Sequence, residues 1–255
     1  ALNNMGFKTV AAIPSRIEDG YGLNEKMVSQ LNEIGVTLVI TVDNGINAFK
    51  AIDLANNFHI DVIITDHHQI KDKLPQSFSL IHPHKTPVDS EYRNLAGVGM
   101  AYLLGSSLAK KFKNKKILSI TNDFFCIGTV ADMTPLTGAN RAILKNNLIN
   151  LHNTKCKGLK AIYNLSGADL EPFNTDIIGF KIAPRINAVG RIGEPSLIID
   201  LLLEENDNEA IYLARKCEEL NRQRKQLSDG IELEAKALLE ADGDNLSPFI
   251  MIAQN

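Results

Sequence analysis

The sequence predicts an α/β fold with a mostly parallel sheet flanked by helices and followed by one long helix. Two apolar, β-branched runs at 36–42 and 62–64 have the character of buried strands. The segment between them, 46–57, has the spacing of an amphipathic helix, and such a strand–helix–strand unit makes its two strands parallel. The charged segment from 207 to about 241 contains no proline and one glycine, which predicts a single long helix.

Further elements are assigned from the same patterns. Strands are predicted at 7–13 and 80–84, and helices at 24–34, 95–110, 139–151, 157–165 and 194–204. Thr175 is a candidate N-cap for a helix that we expect to end at Pro184, because proline disrupts a helix interior.

The composition of the 255-residue chain is that of a soluble globular protein, with 44% apolar and 22% charged residues. No apolar run approaches the ~20 residues that span a bilayer, and the first residues lack the pattern of a secretory signal. The three cysteines, Cys126, Cys156 and Cys217, lie far apart and predict reduced thiols in a cytoplasmic protein. Because the net charge is −3, nucleic-acid binding would require a local basic surface.

Acidic and imidazole side chains follow both of the central predicted strands. Asp43 follows the first strand, and Asp66-His67-His68 follows the second. A right-handed crossover brings both groups to the carboxyl edge of the sheet, where parallel α/β folds form their sites. Asp132, which ends another apolar stretch, is a third candidate. Carboxylates and imidazoles suit Mn²⁺, Mg²⁺ or Zn²⁺, and the lack of nearby paired cysteines argues against a structural zinc.

Local sequence alone leaves structural alternatives open for these residues. Asp43 is also compatible with a helix N-cap, since aspartate is a favoured cap. The pair His67-His68 is compatible with a solvated or capping role, and Asp132 with a turn. Two divalent ions at this edge would, in contrast, suit phosphoryl chemistry.

Several ordered motifs resemble one family of metal-dependent enzymes. The triplet Asp66-His67-His68 is similar to the signature of the DHH phosphoesterase superfamily, and the surrounding motifs narrow the resemblance to its RecJ type. These motifs lie at 13–23, 41–46, 95–101, 128–136 and 183–191. The resemblance runs from about residue 7 to 203 and extends into the long helix.

The resemblance implies a role for each matching side chain. Asp43 would bridge two metal ions, His67 would be a direct ligand, and Asp132 would bind one of the ions. His68 would face the scissile phosphate or the leaving oxygen. Asp66 would orient an imidazole from behind the ligands.

Three arginines are candidates for phosphate binding: Arg16, Arg185 and Arg191. The guanidinium group suits this task because its fork of donors matches phosphate oxygens. The alternatives are a solvated loop residue for Arg16 and a loop-fixing salt bridge for each of the other two.

The resemblance also implies an activity and its partners. The chain would belong to an exonuclease that hydrolyses phosphodiester bonds of single-stranded DNA from the 5′ end, in DNA repair and recombination. Two Mn²⁺ ions are the implied cofactors, with Mg²⁺ as the second choice, and a helicase and a single-strand-binding protein are candidate helpers. We expect no membrane association, and we expect a monomer because Arg224 interrupts the apolar seam of the long helix.

The resemblance divides the chain into a Rossmann-like catalytic domain at 1–203, a connecting helix at 204–242 and the start of a second domain at 243–255. The aspartate-rich first motif of the family has no counterpart in this sequence. We therefore expect the chain alone to bind metal poorly and to be inactive. Two alternatives are a superfamily phosphodiesterase for oligonucleotides, cyclic dinucleotides or pyrophosphate, and a non-catalytic nucleic-acid-binding module.

Overall fold

The computed structural model describes residues 2–14, 20–71, 73–168 and 173–241. Arg16 and the segment 243–255, both of which carry predictions, lie outside the described residues.

Three parallel strands form the sheet that positions the site. The strands are β1 (Leu38–Val42), β2 (Asp61–Thr65) and β3 (Ser79–Ile81), in the spatial order β1-β2-β3. Val42 pairs with Thr65, and Thr65 pairs with Ile81, so the three strands end level with one another. The predicted α/β class with a parallel sheet is confirmed, and the residues that follow the strands share one edge.

Helices make up most of the remaining structure. They are α1 (Glu25–Glu33), α2 (Phe49–Asn57), α3 (Gly97–Lys111), α4 (Lys115–Ala131), α5 (Gly138–Asn147), α6 (Lys157–Leu165), α7 (Ala183–Ile192), α8 (Ser196–Leu203) and α9 (Asp207–Ala241). Short 3-10 helices lie at Asn3–Met5, Pro83–Lys85 and Leu148–Asn153, and a π-helix lies at Ile177–Ile182. No described helix is both long enough and apolar enough to cross a membrane.

Two apolar clusters hold these elements together. In the first, α1 and α2 cover the sheet, and Val28, Ile52, Val62 and Ile64 are all fully buried. Val62 and Ile64 are two residues apart on β2, so they point to the same face of the sheet. The second cluster joins α3 to α9, with Phe125 among its fully buried members. Because α3 also contacts β1 and β2, it connects the helical cluster to the sheet.

The long helix α9 has 35 residues and therefore extends for about 52 Å at 1.5 Å per residue. Its first half packs against α6, α7 and α8, where Leu213 and Cys217 are buried. Its second half exposes Leu227, Ile231 and Leu238 by more than half of their surface. The apolar seam of this helix is thus present, and the described residues cover only its first half.

The predicted strand at 7–13 is wrong. These residues form neither strand nor helix, and Val10 and Ile13 are 64% and 52% exposed. A strand needs a hydrogen-bonded neighbour, and no described residue pairs with this segment or with the outer edge of β1. An apolar, β-branched sequence is therefore present here without the pairing that would make it a strand.

The predicted helix end at Pro184 is also wrong, because the chain stays helical on both sides of this residue. The helix is capped by Asn174, whose Oδ1 accepts the N–H of Ile177 at 3.0 Å, and not by Thr175. The π-helix places its wider turn immediately before α7, and Pro184 falls at the first positions of α7. Proline is tolerated there because the wider π-turn already interrupts the regular i→i−4 hydrogen bonds, so the missing N–H costs little.

Candidate metal centre

The carboxyl ends of all three strands deliver polar side chains to one edge. Asp43 follows β1, Asp66 follows β2 and His82 follows β3. The backbone ladder continues for one residue past the strands, since Asp43 N–H donates to Thr65 (2.9 Å) and Asp66 N–H donates to Ile81 (3.2 Å). These two hydrogen bonds fix the backbone positions of both aspartates, and therefore the points from which their side chains extend.

Three of the predicted metal ligands converge at this edge. Nε2 of His67 lies 2.9 Å from Oδ1 of Asp43 and 3.7 Å from Oδ2 of Asp132. Two donor atoms that bind the same ion, each at about 2.1 Å, lie roughly 3 to 4 Å apart. The distances from His67 to Asp43 and to Asp132 both fit a shared ion. A wider group also includes His68. One donor atom from each of Asp43, His67 and His68 lies within 4.8 Å of the others, so His68 is close enough to be a further ligand.

The carboxylate of Asp43 shows the clearest signature of an ion site. Its Oδ1 is shielded from solvent and accepts no hydrogen bond from any described residue, despite the short approach of the His67 ring. A buried carboxylate oxygen without a donor is costly unless a cation compensates it. Carboxylate oxygens suit Mn²⁺ and Mg²⁺, while an imidazole nitrogen also suits Zn²⁺. The residues present therefore fit a divalent ion.

The backbone places Asp43 in an unusual position. Its φ is +63°, a left-handed conformation that few residues other than glycine, asparagine and aspartate adopt. The first residue of α3, Gly97, packs directly on it: a Cβ at position 97 would lie 2.3 Å from Oδ1 of Asp43. The positive end of the α3 dipole therefore lies beside this carboxylate and favours its negative charge.

Asp66 is buried and ties three parts of the edge together. Its Oδ1 accepts the N–H groups of His67 (2.8 Å) and His68 (3.1 Å), and it lies 2.7 Å from Nδ1 of His68. Its Oδ2 accepts the N–H of Ile46 at 3.0 Å, in the turn after β1. Burial alone would raise the pKa of Asp66, but the hydrogen bonds from Ile46, His68 and His67 outweigh it and lower the pKa.

The ionisation of the cluster reflects its crowding. The Asp43 carboxylate raises the pKa of His67, against the opposing effect of burial. Burial raises the pKa of Asp132. The charge of Asp43 raises this pKa further, and the charges of His67 and His68 lower it. A proton on Nε2 of His67 and a metal ion would compete for the same lone pair, so metal affinity should weaken as the pH falls.

Asp132 lies at the C-terminal end of α4, where its N–H donates to Gly128 at 2.9 Å. The carbonyl groups of a helix C-terminus carry partial negative charge and attract cations. The next residue, Met133, has φ +54° and turns the chain away from the helix axis. The end of α4 and its carboxylate therefore favour a cation electrostatically.

Two neighbours hold the edge from outside the predicted set. The hydroxyl of Tyr21 donates to the carbonyl of Asp43 at 2.9 Å. The buried His82 lies with Nε2 2.8 Å from the carbonyl oxygen of His68. Burial lowers the pKa of His82, against the opposing effect of this hydrogen bond. Both residues act on the backbone of the cluster.

No contact among the described residues brings Arg185 or Arg191 to the cluster. Arg185 is mostly buried and donates to Glu218 of α9 and to the carbonyl of Lys181. Arg191 is exposed on α7, and its side chain forms no ion pair with a described residue. The salt-bridge alternative is thus realised for Arg185, and phosphate binding stays a prediction for both.

Replacing Asp66 with asparagine should lower the free energy of unfolding of the metal-free chain by about 2 to 4 kcal/mol. An asparagine amide cannot accept the hydrogen bonds that both carboxylate oxygens accept, so a buried N–H loses its partner. Urea denaturation followed by circular dichroism measures the loss. The matched control is Asp61→Asn at the exposed start of the same strand, which should change stability by less than about 0.5 kcal/mol. Equal stability of the two variants would contradict the proposed bracing role of Asp66.

With this fold and this cluster established, comparison with known proteins gives the family. Residues 1–129 match the model of the DHH family, N-terminal domain. The chain therefore belongs to the DHH family, as the sequence motifs predict.

Curated relatives and solved structures agree with this assignment. The chain is 37% identical over 231 residues to the single-stranded-DNA-specific exonuclease RecJ of Bacillus subtilis, covering 91% of this chain and 29% of that protein. It is 34% identical over 252 residues to RecJ of Escherichia coli, covering 94% of this chain and 44% of that protein. The chain thus spans less than half the length of these relatives.

Two of the similar structures contain manganese. An exonuclease RecJ bound to manganese superposes with a TM-score of 0.82 and 31% identity, over 90% of this chain and 58% of that one. RecJ of Thermus thermophilus in complex with Mn²⁺ gives a TM-score of 0.73 and 30% identity, over 81% of this chain and 31% of that one.

Proposed function

We propose that this chain is the catalytic part of a metal-dependent exonuclease that degrades single-stranded DNA from the 5′ end. The observation that carries the proposal is the convergence of Asp43, His67 and Asp132, with an Asp43 oxygen that lacks a hydrogen-bond donor among the described residues. The similarity to single-stranded-DNA-specific RecJ exonucleases over nine-tenths of the chain supports the proposed substrate. DNA repair and recombination are the proposed setting.

Asp43, His67 and Asp132 would hold the metal, with Asp43 as the bridging carboxylate. Manganese is the first choice and magnesium the second, in line with the metals in the similar structures. When bound, divalent ions supply Lewis acidity toward a phosphoryl oxygen and lower the pKa of water.

The His68 ring would act on the substrate. Its Nδ1 is engaged with Asp66, so Nε2 remains available to a phosphate oxygen or to the leaving oxygen. The Asp66 carboxylate, which is ionised because of its lowered pKa, holds the ring in one orientation. With a proton on both ring nitrogens, the Nε2–H would stabilise the charge that develops on the leaving oxygen. Arg16, Arg185 and Arg191 are proposed to bind phosphates along the strand, and for Arg185 this requires release from Glu218.

The location and organisation follow from the same reasoning. We propose a catalytic domain at 1–203, a connecting helix at 204–242 and a second domain beginning at 243–255. Three buried, unpaired cysteines suit the reducing cytoplasm. A helicase and a single-strand-binding protein are the proposed helpers.

The test uses the full-length protein with Mn²⁺ and single-stranded DNA that carries a label at either end. A 5′ label should be released at once as a mononucleotide, while a 3′ label should remain on progressively shorter strands. Matched assays with dinucleotides, cyclic dinucleotides and pyrophosphate test the alternative phosphodiesterase. Faster hydrolysis of those small substrates than of long strands would overturn the exonuclease proposal.

A second candidate is a nucleic-acid-binding module without catalysis. Calorimetric titration of Mn²⁺ into this chain and into the full-length protein separates the two. Binding by the full-length protein alone supports a site completed by residues outside this chain. Absence of binding in both would favour the non-catalytic module.

A further inference from the structure

The third strand also ends at the metal edge, and the residue that follows it is a buried histidine. His82 follows β3 directly and is 3% exposed. Its Nδ1 accepts the backbone N–H of His84 at 3.1 Å, and its Nε2 lies 2.8 Å from the carbonyl oxygen of His68. A ring nitrogen that accepts a hydrogen bond carries no proton. The proton of His82 is therefore on Nε2, which donates to His68.

This hydrogen bond completes the fixation of His68. The His68 ring is oriented by Asp66, whose Oδ1 lies 2.7 Å from Nδ1. The main chain of His68 is held at two points, by its own N–H to Asp66 and by its carbonyl to His82. The two restraining residues come from the ends of different strands, so the position of His68 depends on the register of the sheet.

Metal binding does not explain the placement of His82. Both of its ring nitrogens are engaged with backbone groups, so the ring has no free lone pair for an ion. The carboxylates of Asp43 and Asp132 contact His67, and within the described residues no contact joins either of them to the His82 ring. The hydrogen bond that His82 makes to the cluster, within the described residues, is the one to the backbone of His68.

We propose that His82 is a positioning residue, which fixes the backbone of His68 so that the free Nε2 of His68 faces the reacting phosphate. The proposal rests on the proposed function, because it assigns His82 an effect on the step in which His68 takes part. A merely structural histidine would contribute to folding stability alone. A positioning residue affects kcat while leaving substrate and metal affinity in place.

Two variants of the full-length protein separate these roles. In His82→Gln the side-chain nitrogen is the same number of bonds from the backbone as Nε2, so a donor to His68 is retained. In His82→Met the side chain has the same length but no donor. We expect His82→Met to lower kcat on single-stranded DNA by about 10- to 100-fold, as loss of an orienting partner does at metal sites. The glutamine variant should recover most of this loss.

The affinities complete the kinetic test. KM for DNA and the dissociation constant for Mn²⁺ should stay within about twofold of the unmutated values in both variants. The proposal is overturned if the methionine variant keeps its kcat, if the glutamine variant loses as much, or if the change appears in KM.

A measurement on the metal-free protein tests the hydrogen bond without any assay of activity. Long-range ¹H–¹⁵N correlation spectra of the histidine-labelled full-length protein report which ring nitrogen carries the proton. We expect the Nε2–H form at His82, and a proton on Nδ1 would overturn the proposal even if the methionine variant failed to fold. If the unmutated protein degraded no single-stranded DNA, the proposed function would fail, while these spectra would still decide whether His82 holds His68.

Discussion

Replacing Asp43 with asparagine should reduce single-stranded DNA hydrolysis by the full-length protein at least about 1000-fold, because loss of one preorganised charge-stabilising group alone costs about 100- to 1000-fold. Oδ1 of Asp43 lies 2.9 Å from Nε2 of His67 and accepts no hydrogen bond from a described residue. Asparagine tolerates the left-handed backbone at this position, so the fold should persist. Single-turnover hydrolysis measures the rate, and calorimetry measures the parallel loss of Mn²⁺ affinity.

The matched control for this prediction is Asp53→Asn. Asp53 lies exposed on α2, and its replacement removes the same charge without touching the cluster. Its activity and Mn²⁺ affinity should equal those of the unmutated protein. If Asp43→Asn kept a rate within about tenfold of the Asp53→Asn rate, the metal centre would have to lie elsewhere.

Gly97→Ala should lower activity by about 100-fold, since a displacement of about 1 Å in a catalytic group has effects of that size. The added Cβ would lie 2.3 Å from Oδ1 and 2.6 Å from Cβ of Asp43. No real Cβ contact is that short, so either the carboxylate or the start of α3 must move. Steady-state kinetics and Mn²⁺ titration of the full-length protein measure the consequence.

The same helix provides the control for this substitution. At Gly105, also buried in α3, an added Cβ would meet only Cγ2 of Thr121, at an ordinary distance of 3.8 Å. Gly105→Ala should keep full activity and stabilise the protein by up to about 1 kcal/mol, because alanine is the better helix former. Similar activity of the two variants would show that Gly97 has no particular relation to the site.

The sequence predicts the central βαβ unit and the convergence at its edge for physical reasons. β-branched runs identify the strands, and the crossover rule fixes their relative direction, so Asp43 and the triplet that begins at Asp66 must end on one side. The helix at 157–165 has the predicted bounds, because its apolar spacing is regular. In both of these examples, the local sequence pattern and the tertiary packing favour the same secondary structure.

The sequence is less informative where a contact depends on a distant partner. The segment 7–13 has strand composition but no pairing partner among the described residues, and composition cannot reveal that. The helical chain across Pro184 depends on a π-turn whose register no local spacing indicates. Roles for Gly97 and His82 beside the cluster are equally hidden, because each depends on a contact across the sheet edge. The sequence features that accompany these two residues are the paired glycines at 97 and 99 and the histidines on either side of Pro83.

The left-handed main chain at position 43 has a consequence for how this protein can vary. Few amino acids other than glycine, asparagine and aspartate accept this conformation without a cost of about 1 to 2 kcal/mol, and only aspartate among them supplies a negative charge. Glutamate would keep the charge but would pay the backbone penalty and carry its oxygens one bond further. Coordination chemistry and backbone geometry together therefore favour aspartate at position 43 over glutamate, asparagine and glycine.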